Sequence, residues 1–116
     1  MDRLEKIFLL QQQLDNKITE KRNINFDTDT WIQKEILALI SELAEVLEET
    51  NFKWWKQPKE IDKVNLKEEI IDVFHFFVSL CLKVGITPQD LYNAYVAKNE
   101  ENNLRQDGLS KKQGYI

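Results

Sequence analysis

The first 57 residues contain neither glycine nor proline, because all five of these residues lie at Pro58, Gly85, Pro88, Gly108 and Gly114. Nothing in that half of the chain strongly interrupts a helix. Apolar residues recur there every three or four positions, which is the spacing of one helix face. The sequence therefore predicts an all-α fold that opens with one helix from about residue 2 to 20 and a second from about residue 30 to 50.

Capping patterns mark where the later helices begin and end. Thr30 followed by Gln33 predicts the start of the second helix, and Asn65 followed by Glu68 predicts the start of the third. Gly85 ends this third helix.

The fourth helix is predicted from Thr87 as N-cap, with Pro88 at its first position and Asp90 in its first turn, to about Asn103. Four helices joined by short loops indicate a compact four-helix bundle. Its exposed apolar surface would favour a homodimer or a higher oligomer.

Length and composition restrict the class of protein further. A chain of 116 residues fits a single domain, which we place at residues 1–108, followed by an irregular tail at 109–116. One cysteine and one histidine are too few for an internal disulfide or a structural zinc site. The net charge of −4 argues against a nucleic-acid partner. We find no signal peptide and no apolar run long enough to span a membrane, so we expect a cytoplasmic protein.

Two pairs of acidic residues stand beside apolar helix faces. Glu42 and Glu45 border the apolar stripe of the second helix, and Glu69 and Asp72 interrupt a third helix that is apolar almost all round. A pair of this kind taken alone is compatible with a solvated helix face. An ionised carboxylate on a buried helix is costly unless it is paired or bound to a metal. The two pairs together therefore favour a ligand.

Antiparallel packing of the second and third helices would bring all four carboxylates around one point. Hard oxygen ligands in that number suit Mg²⁺ or Mn²⁺ and do not suit zinc or copper. Glu49 lies on the same helix face as Glu42 and Glu45 and is a candidate for a further ligand. We predict a metal site formed by Glu42, Glu45, Glu69 and Asp72.

Other residues suit a bound ligand, although each has a plainer interpretation. His75 is either a packed core residue or a group that assists the acids. Trp54 is either a core anchor or a wall for a flat ring, and the neighbouring Lys53 and Lys56 favour the second interpretation. Lys98 and Arg105 share one face of the fourth helix, as a solvated stripe or as contacts for phosphate oxygens.

The acid pairs, Glu42-x-x-Glu45 and, after 23 residues, Glu69-x-x-Asp72, resemble the signature of the all-α nucleoside triphosphate pyrophosphatases, which include the MazG-like proteins and the dimeric dUTPases. The segments ETNFKWWKQ, EEIIDVFHFFVSL and YVAKNEENNLRQDG look like the dimeric dUTPase family in particular. The resemblance runs from about Leu10 to Gly108. The chain is shorter than the larger members, since only 25 residues separate Asp72 from Lys98.

This resemblance implies hydrolysis of dUTP to dUMP and pyrophosphate, with Mg²⁺, for which Mn²⁺ could substitute, held by the four acids. It implies phosphate contacts from Lys53, Lys56, Lys98 and Arg105, with help from Asn99 and Asn102. It also implies a uracil pocket formed by Gln11 or Gln12, Asn16, Trp54 and Phe76, with His75 nearby. The family's asparagine in the first helix aligns with Asp15 or Asn16. The terminal Gly114-Tyr115-Ile116 resembles the family's Gly-Tyr motif but stands several residues later in the chain.

Two alternatives remain open at the level of sequence. The same chemistry could act on another nucleotide, such as dCTP or a noncanonical triphosphate. The chain could also be a non-catalytic helical binding protein with structural acids, and this reading predicts lysines opposite the acids. Lys83 is the only base that we can place in those sectors.

Overall fold

The computed structural model describes residues 1–111, which form four helices and no strand. The helices are α1 (Arg3–Lys21), α2 (Thr28–Glu48), α3 (Lys63–Val84) and α4 (Pro88–Gln106). The predicted all-α fold of four helices is confirmed. The predicted tail at 109–116 lies mostly outside the described residues, and so does Gly114-Tyr115-Ile116.

The chain divides into two units, one of residues 1–85 with α1, α2 and α3, and one that begins at Ile86 and contains α4. In the first unit α3 packs against both α1 and α2. It is antiparallel to α2, because Asn65 at its start hydrogen-bonds to Glu49 and Lys83 at its end lies 4.9 Å from the ring centroid of Trp31. The prediction of one domain over 1–108 stays a prediction.

Two predicted helix starts are wrong. The backbone N–H of Thr30 donates to Asp27 Oδ1 at 2.8 Å, so Asp27 caps α2 and the helix begins at Thr28. The backbone N–H of Asn65 likewise donates to Asp62 Oδ1 at 3.0 Å, so α3 begins at Lys63. In both cases an aspartate three residues upstream is the acceptor for the free N–H groups of the first turn.

The connection between α3 and α4 follows the sequence prediction. Gly85 adopts φ +89°, a left-handed conformation that glycine reaches without a Cβ penalty, and its N–H donates to Cys81 O. Thr87 and Asp90 then form a reciprocal capping box at the start of α4. The helix continues to Gln106, three residues beyond the predicted end.

The buried apolar core is small. It consists of Phe8, Val78 and Cys81 among the described residues. Leu37, Ile40 and Leu43 on α2 and Ile71 on α3 are each more than half exposed. No single described helix is long and apolar enough to cross a membrane. Among the described residues, α3 and α4 counted together meet the criteria for a broken membrane span, by length and composition only. Apolar surface on α2 and α3 is therefore left exposed within this chain, as at sites that bind another molecule.

One buried carboxylate on α2 is incompletely paired. Glu35 on α2 is only 8% exposed, and its Oε2 has no hydrogen-bond partner within residues 1–111. Burial raises the pKa of Glu35, and the nearby charge of Asp15 raises it further, while Lys83 acts in the opposite direction. The ionised form of Glu35 is therefore less favourable in the folded chain than in the unfolded chain.

This difference makes stability depend on pH. Because folding raises the pKa of Glu35, the folded state holds its proton more tightly, and stability falls as pH rises from the ordinary glutamate pKa through the raised value. We expect Glu35→Gln to raise the melting temperature at pH 7 by about 3 °C and to change it little at pH 4. Glu48→Gln, at an exposed position of the same helix, is the control and should have no effect at either pH. An equal gain for Glu35→Gln at both pH values would contradict this account.

Candidate active site

Three acidic side chains converge where α2 packs against α3. One carboxylate oxygen each from Glu42, Glu69 and Asp72 lie within 4.8 Å of one another. The spacing of three residues from Glu69 to Asp72 places both on one side of α3, and antiparallel packing brings that side to Glu42. The structure thus brings together three of the four predicted metal ligands by direct proximity.

Glu45 lies beside the same group. Burial raises the pKa of Glu42, and a hydrogen bond and charge repulsion from Glu45 raise it further. Burial also raises the pKa of Glu69, followed by the same two effects of Glu45 and then by repulsion from Asp72 and Glu49. The charge of Glu45 is therefore close enough to act on both Glu42 and Glu69. The four acids form one electrostatic unit, the acid cluster.

The donor set of the acid cluster fits a hard divalent cation. Oε2 of Glu42 and Oε2 of Glu69 are buried and have no hydrogen-bond partner within residues 1–111. Buried oxygens without partners are rare in folded proteins, and a bound cation is one group that would satisfy them. Since all of the donors are carboxylate oxygens, Mg²⁺ or Mn²⁺ suits them better than a softer metal.

Glu49 has a structural contact of its own. Its Oε1 accepts a hydrogen bond from the side-chain amide of Asn65, which joins the end of α2 to the first turn of α3. Glu49 also contributes to the raised pKa of Glu69. Its carboxylate thus helps to fix the register of the two helices that carry the acid cluster.

The predicted base-binding residues of α1 separate into two groups. Gln11 is buried and reaches α3, where its Oε1 lies 2.7 Å from His75 Nδ1. Gln12 instead donates to Asn16 Oδ1 at 2.8 Å, along α1 itself. The structure therefore connects Gln11, and not Gln12 or Asn16, to the helix that carries Glu69 and Asp72.

His75 and Phe76 lie on α3 within about one turn of Asp72. His75 is exposed and Phe76 is half-buried. The alternative of His75 as a packed core residue is therefore wrong, because the residue is exposed and one of its ring nitrogens is hydrogen-bonded to Gln11 on α1.

The loop after α2 presents the predicted aromatic and basic residues. Trp54 is 85% exposed, which rules out its role as a core anchor, and its ring meets that of Trp55 edge-on at 5.6 Å. The Asn51 side chain closes this loop with two hydrogen bonds to the backbone of Lys59. A cavity of about 320 Å³ lies along it, lined by Lys53 and Lys56 among others but by none of the acid cluster.

The remaining predicted residues belong to the second unit. Lys98, Asn102 and Arg105 follow one face of α4, at spacings of four and three residues. The guanidinium of Arg105 donates to Glu101 at 3.2 Å, and Asn99 accepts from the Asn103 side chain at 3.1 Å. Substrate contacts of these four residues stay a prediction.

Glu35 and Ser79 are not among the residues predicted from the sequence, although Ser79 donates a hydrogen bond to Asp15. A signal for both is present in the sequence. Glu35 precedes Glu42 by seven residues and Ser79 follows Asp72 by seven, so each lies two helical turns from the acid cluster on the same face of its helix. A polar residue at that spacing indicates that the polar face continues along the interface.

A helical protein with a cluster of carboxylates between two antiparallel helices is the class that fold and site define. The chain belongs to the all-α dUTPase family, because the family profile, described as dUTPase, matches residues 3–89.

Two curated proteins are similar to it. The dCTP pyrophosphatase of Enterobacteria phage T4 is 28% identical over 88 residues, or 64% of this chain and 52% of that protein. The dCTP pyrophosphatase of Enterobacteria phage LZ5 is 39% identical over 46 residues, or 40% of this chain and 27% of that protein. The chain thus spans about half the length of the first relative and about a quarter of the second. No solved structure matches the chain significantly.

The electrostatics of the acid cluster predict opposite effects of one substitution with and without metal. In EDTA, Glu69→Gln should raise the melting temperature, because it removes one of several mutually repelling charges. With millimolar Mg²⁺ the wild type should gain stability and the variant should gain much less. Differential scanning fluorimetry measures both, with Glu48→Gln as the control. A variant that is less stable than the wild type in EDTA would contradict the repulsion.

Proposed function

We propose that the chain is a Mg²⁺-dependent nucleoside triphosphate pyrophosphatase that hydrolyses dUTP to dUMP and pyrophosphate. The observation that carries the proposal is the acid cluster, with its two buried and unpartnered oxygens. Membership of the all-α dUTPase family supports the same reaction. Solvated structural acids would not leave these oxygens buried and without a partner.

In this proposal Glu42, Glu45, Glu69 and Asp72 hold the metal. The bound ion supplies positive charge that offsets the charge of the triphosphate and lowers the pKa of water. The protein's own contribution is position, since α2 and α3 fix the four carboxylates before substrate arrives. Lys53 and Lys56 offer charge to the phosphates from the loop after α2, and the exposed Trp54 offers a flat surface for the base.

A second substrate, dCTP, is favoured by a specific observation. Both curated relatives described above are named dCTP pyrophosphatases. Uracil and cytosine have the same size and differ at one edge of the ring, so discrimination depends on hydrogen bonding rather than on shape. We rank dUTP first because the family profile that matches most of the chain is described as dUTPase.

Purified protein with Mg²⁺ should release pyrophosphate from dUTP. Comparison of kcat/KM for dUTP, dCTP, dTTP and dATP then identifies the base that the enzyme prefers. Asp72→Asn should lower kcat/KM by at least about a hundredfold, since a lost metal ligand forfeits several kcal/mol of charge stabilisation. Glu48→Gln should stay within about twofold of the wild type. Full activity of Asp72→Asn would refute the role of the cluster, and no hydrolysis of any nucleotide would refute the proposal.

We further propose that the protein works as a homodimer or tetramer. The argument is the apolar surface of α2 and α3, where Leu37, Ile40, Leu43 and Ile71 are each more than half exposed. Sedimentation velocity at micromolar concentration should show a dimer or a tetramer, and Ile40→Glu should shift it toward the monomer. A monomeric wild type would exclude this assembly.

A further inference from the structure

A continuous chain of hydrogen bonds joins α1 to α3 beside the acid cluster. Ser79 Oγ donates to Asp15 Oδ2 at 2.8 Å, and Gln11 Nε2 donates to Asp15 Oδ1 at 2.9 Å. Gln11 Oε1 then lies 2.7 Å from His75 Nδ1. Because Gln11 and Asp15 lie one turn apart on α1, and His75 and Ser79 one turn apart on α3, the four side chains form a ladder between the two helices that runs from Ser79 to His75.

Asp15 determines the direction of this chain. An ionised carboxylate only accepts hydrogen bonds, so Gln11 must turn its amino group toward Asp15 and its carbonyl oxygen toward His75. The carbonyl oxygen carries no hydrogen, so His75 Nδ1 must be the donor. In a neutral imidazole the other nitrogen, Nε2, is then an acceptor.

Burial favours one of the two orientations of the Gln11 side-chain amide. Gln11 is 8% exposed and Ser79 is 2% exposed, so neither can exchange its partners for water at little cost. If the Gln11 amide were reversed, its carbonyl oxygen would face the carboxylate of Asp15 and its amino group would face His75. Such mismatches disfavour the reversed amide.

The free end of the ladder faces solvent near the acid cluster. His75 is exposed, and its Nε2 has no hydrogen-bond partner within residues 1–111. His75 follows Asp72 by three residues on α3, which is less than one helical turn. His75 is therefore a neighbour of a proposed metal ligand on the surface of α3, and its Nε2 is an acceptor.

We infer that Asp15, which is held by the hydrogen bond from Ser79, is a positioning residue that acts through Gln11 to keep His75 in its Nδ1–H tautomer. In that tautomer His75 Nε2 accepts a hydrogen bond from an N–H of the substrate's pyrimidine ring. The inference rests on the proposed function. Uracil offers N3–H to such an acceptor, and cytosine offers its 4-amino group. A pyrimidine without an N–H at this edge, such as N3-methyluracil, offers none.

Because the chain has only one histidine, nuclear magnetic resonance reads its tautomer without ambiguity. Long-range ¹H–¹⁵N spectra of uniformly ¹⁵N-labelled protein should show the Nδ1–H form in the wild type at a pH where the ring is neutral. Asp15→Ala should shift the ring toward a mixture of tautomers. Gln13→Ala, at an exposed position of the same helix, is the control and should leave the spectrum unchanged.

A double substitution separates positioning from general damage to the fold. In Gln11→Glu combined with Asp15→Asn, the introduced asparagine can donate to the introduced glutamate and still accept from Ser79, while the glutamate accepts from His75 Nδ1. This pair should restore the Nδ1–H tautomer that Asp15→Ala loses. Ser79→Ala keeps the charge of Asp15 and should give a smaller shift in the same direction as Asp15→Ala.

Kinetics test the consequence for substrate. Asp15→Ala should raise KM for dUTP about tenfold and change kcat less, and the double substitution should recover most of that loss. The wild type should prefer dUTP over its N3-methyl analogue, and Asp15→Ala should lose most of this preference. A wild-type Nε2–H tautomer, or an Asp15→Ala spectrum identical to the wild type, overturns the inference whatever the activity. Absence of pyrophosphatase activity in the wild type refutes the proposed function, while the spectra still test the ladder.

Discussion

Repulsion among carboxylates at the interface of α2 and α3 is the constraint on which the rest of the structure depends. Glu42, Glu45, Glu69 and Asp72 raise the cost of the very contact that holds the two helices together. The surrounding structure opposes that cost with a hydrogen bond between Asn65 and Glu49 at one end of the interface and a contact between Lys83 and Trp31 at the other. A divalent cation bound at the acid cluster would be attracted by the same negative charges and would stabilise the folded chain.

Polar side chains continue along the helix interfaces beyond the four acids. Two turns from the cluster lie Glu35 and Ser79, and Asp15 connects the second of these to α1. A nucleotide places its base several ångströms from its phosphates, so a single helical interface with acids at one level and amide, imidazole and carboxyl groups at the next suits both ends of one substrate. The small apolar core is consistent with this use of the interior, because polar groups occupy positions that apolar side chains would otherwise fill.

The sequence was sufficient for the helices, which depend on local spacing, and for the acid cluster once α2 and α3 are taken as antiparallel neighbours. The absence of glycine and proline before Pro58 and the Gly85 and Thr87 signals are local features. The starts of α2 and α3 were misplaced because Asp27 and Asp62 compete with Thr30 and Asn65 as caps, and a carboxylate is the stronger acceptor. The ladder from Ser79 to His75 could not be predicted, because it requires the relative direction of α1 and α3, which no local pattern fixes.

The most direct test of the central claim, that the acid cluster binds a divalent cation together with a triphosphate, is electron paramagnetic resonance of Mn²⁺ titrated with and without α,β-imido-dUTP. The account predicts that the protein removes the free Mn²⁺ signal, that the analogue tightens this binding, and that Asp72→Asn abolishes both effects while Glu48→Gln changes neither. Mn²⁺ binding that is as tight in Asp72→Asn as in the wild type, or that is indifferent to the analogue, would contradict it.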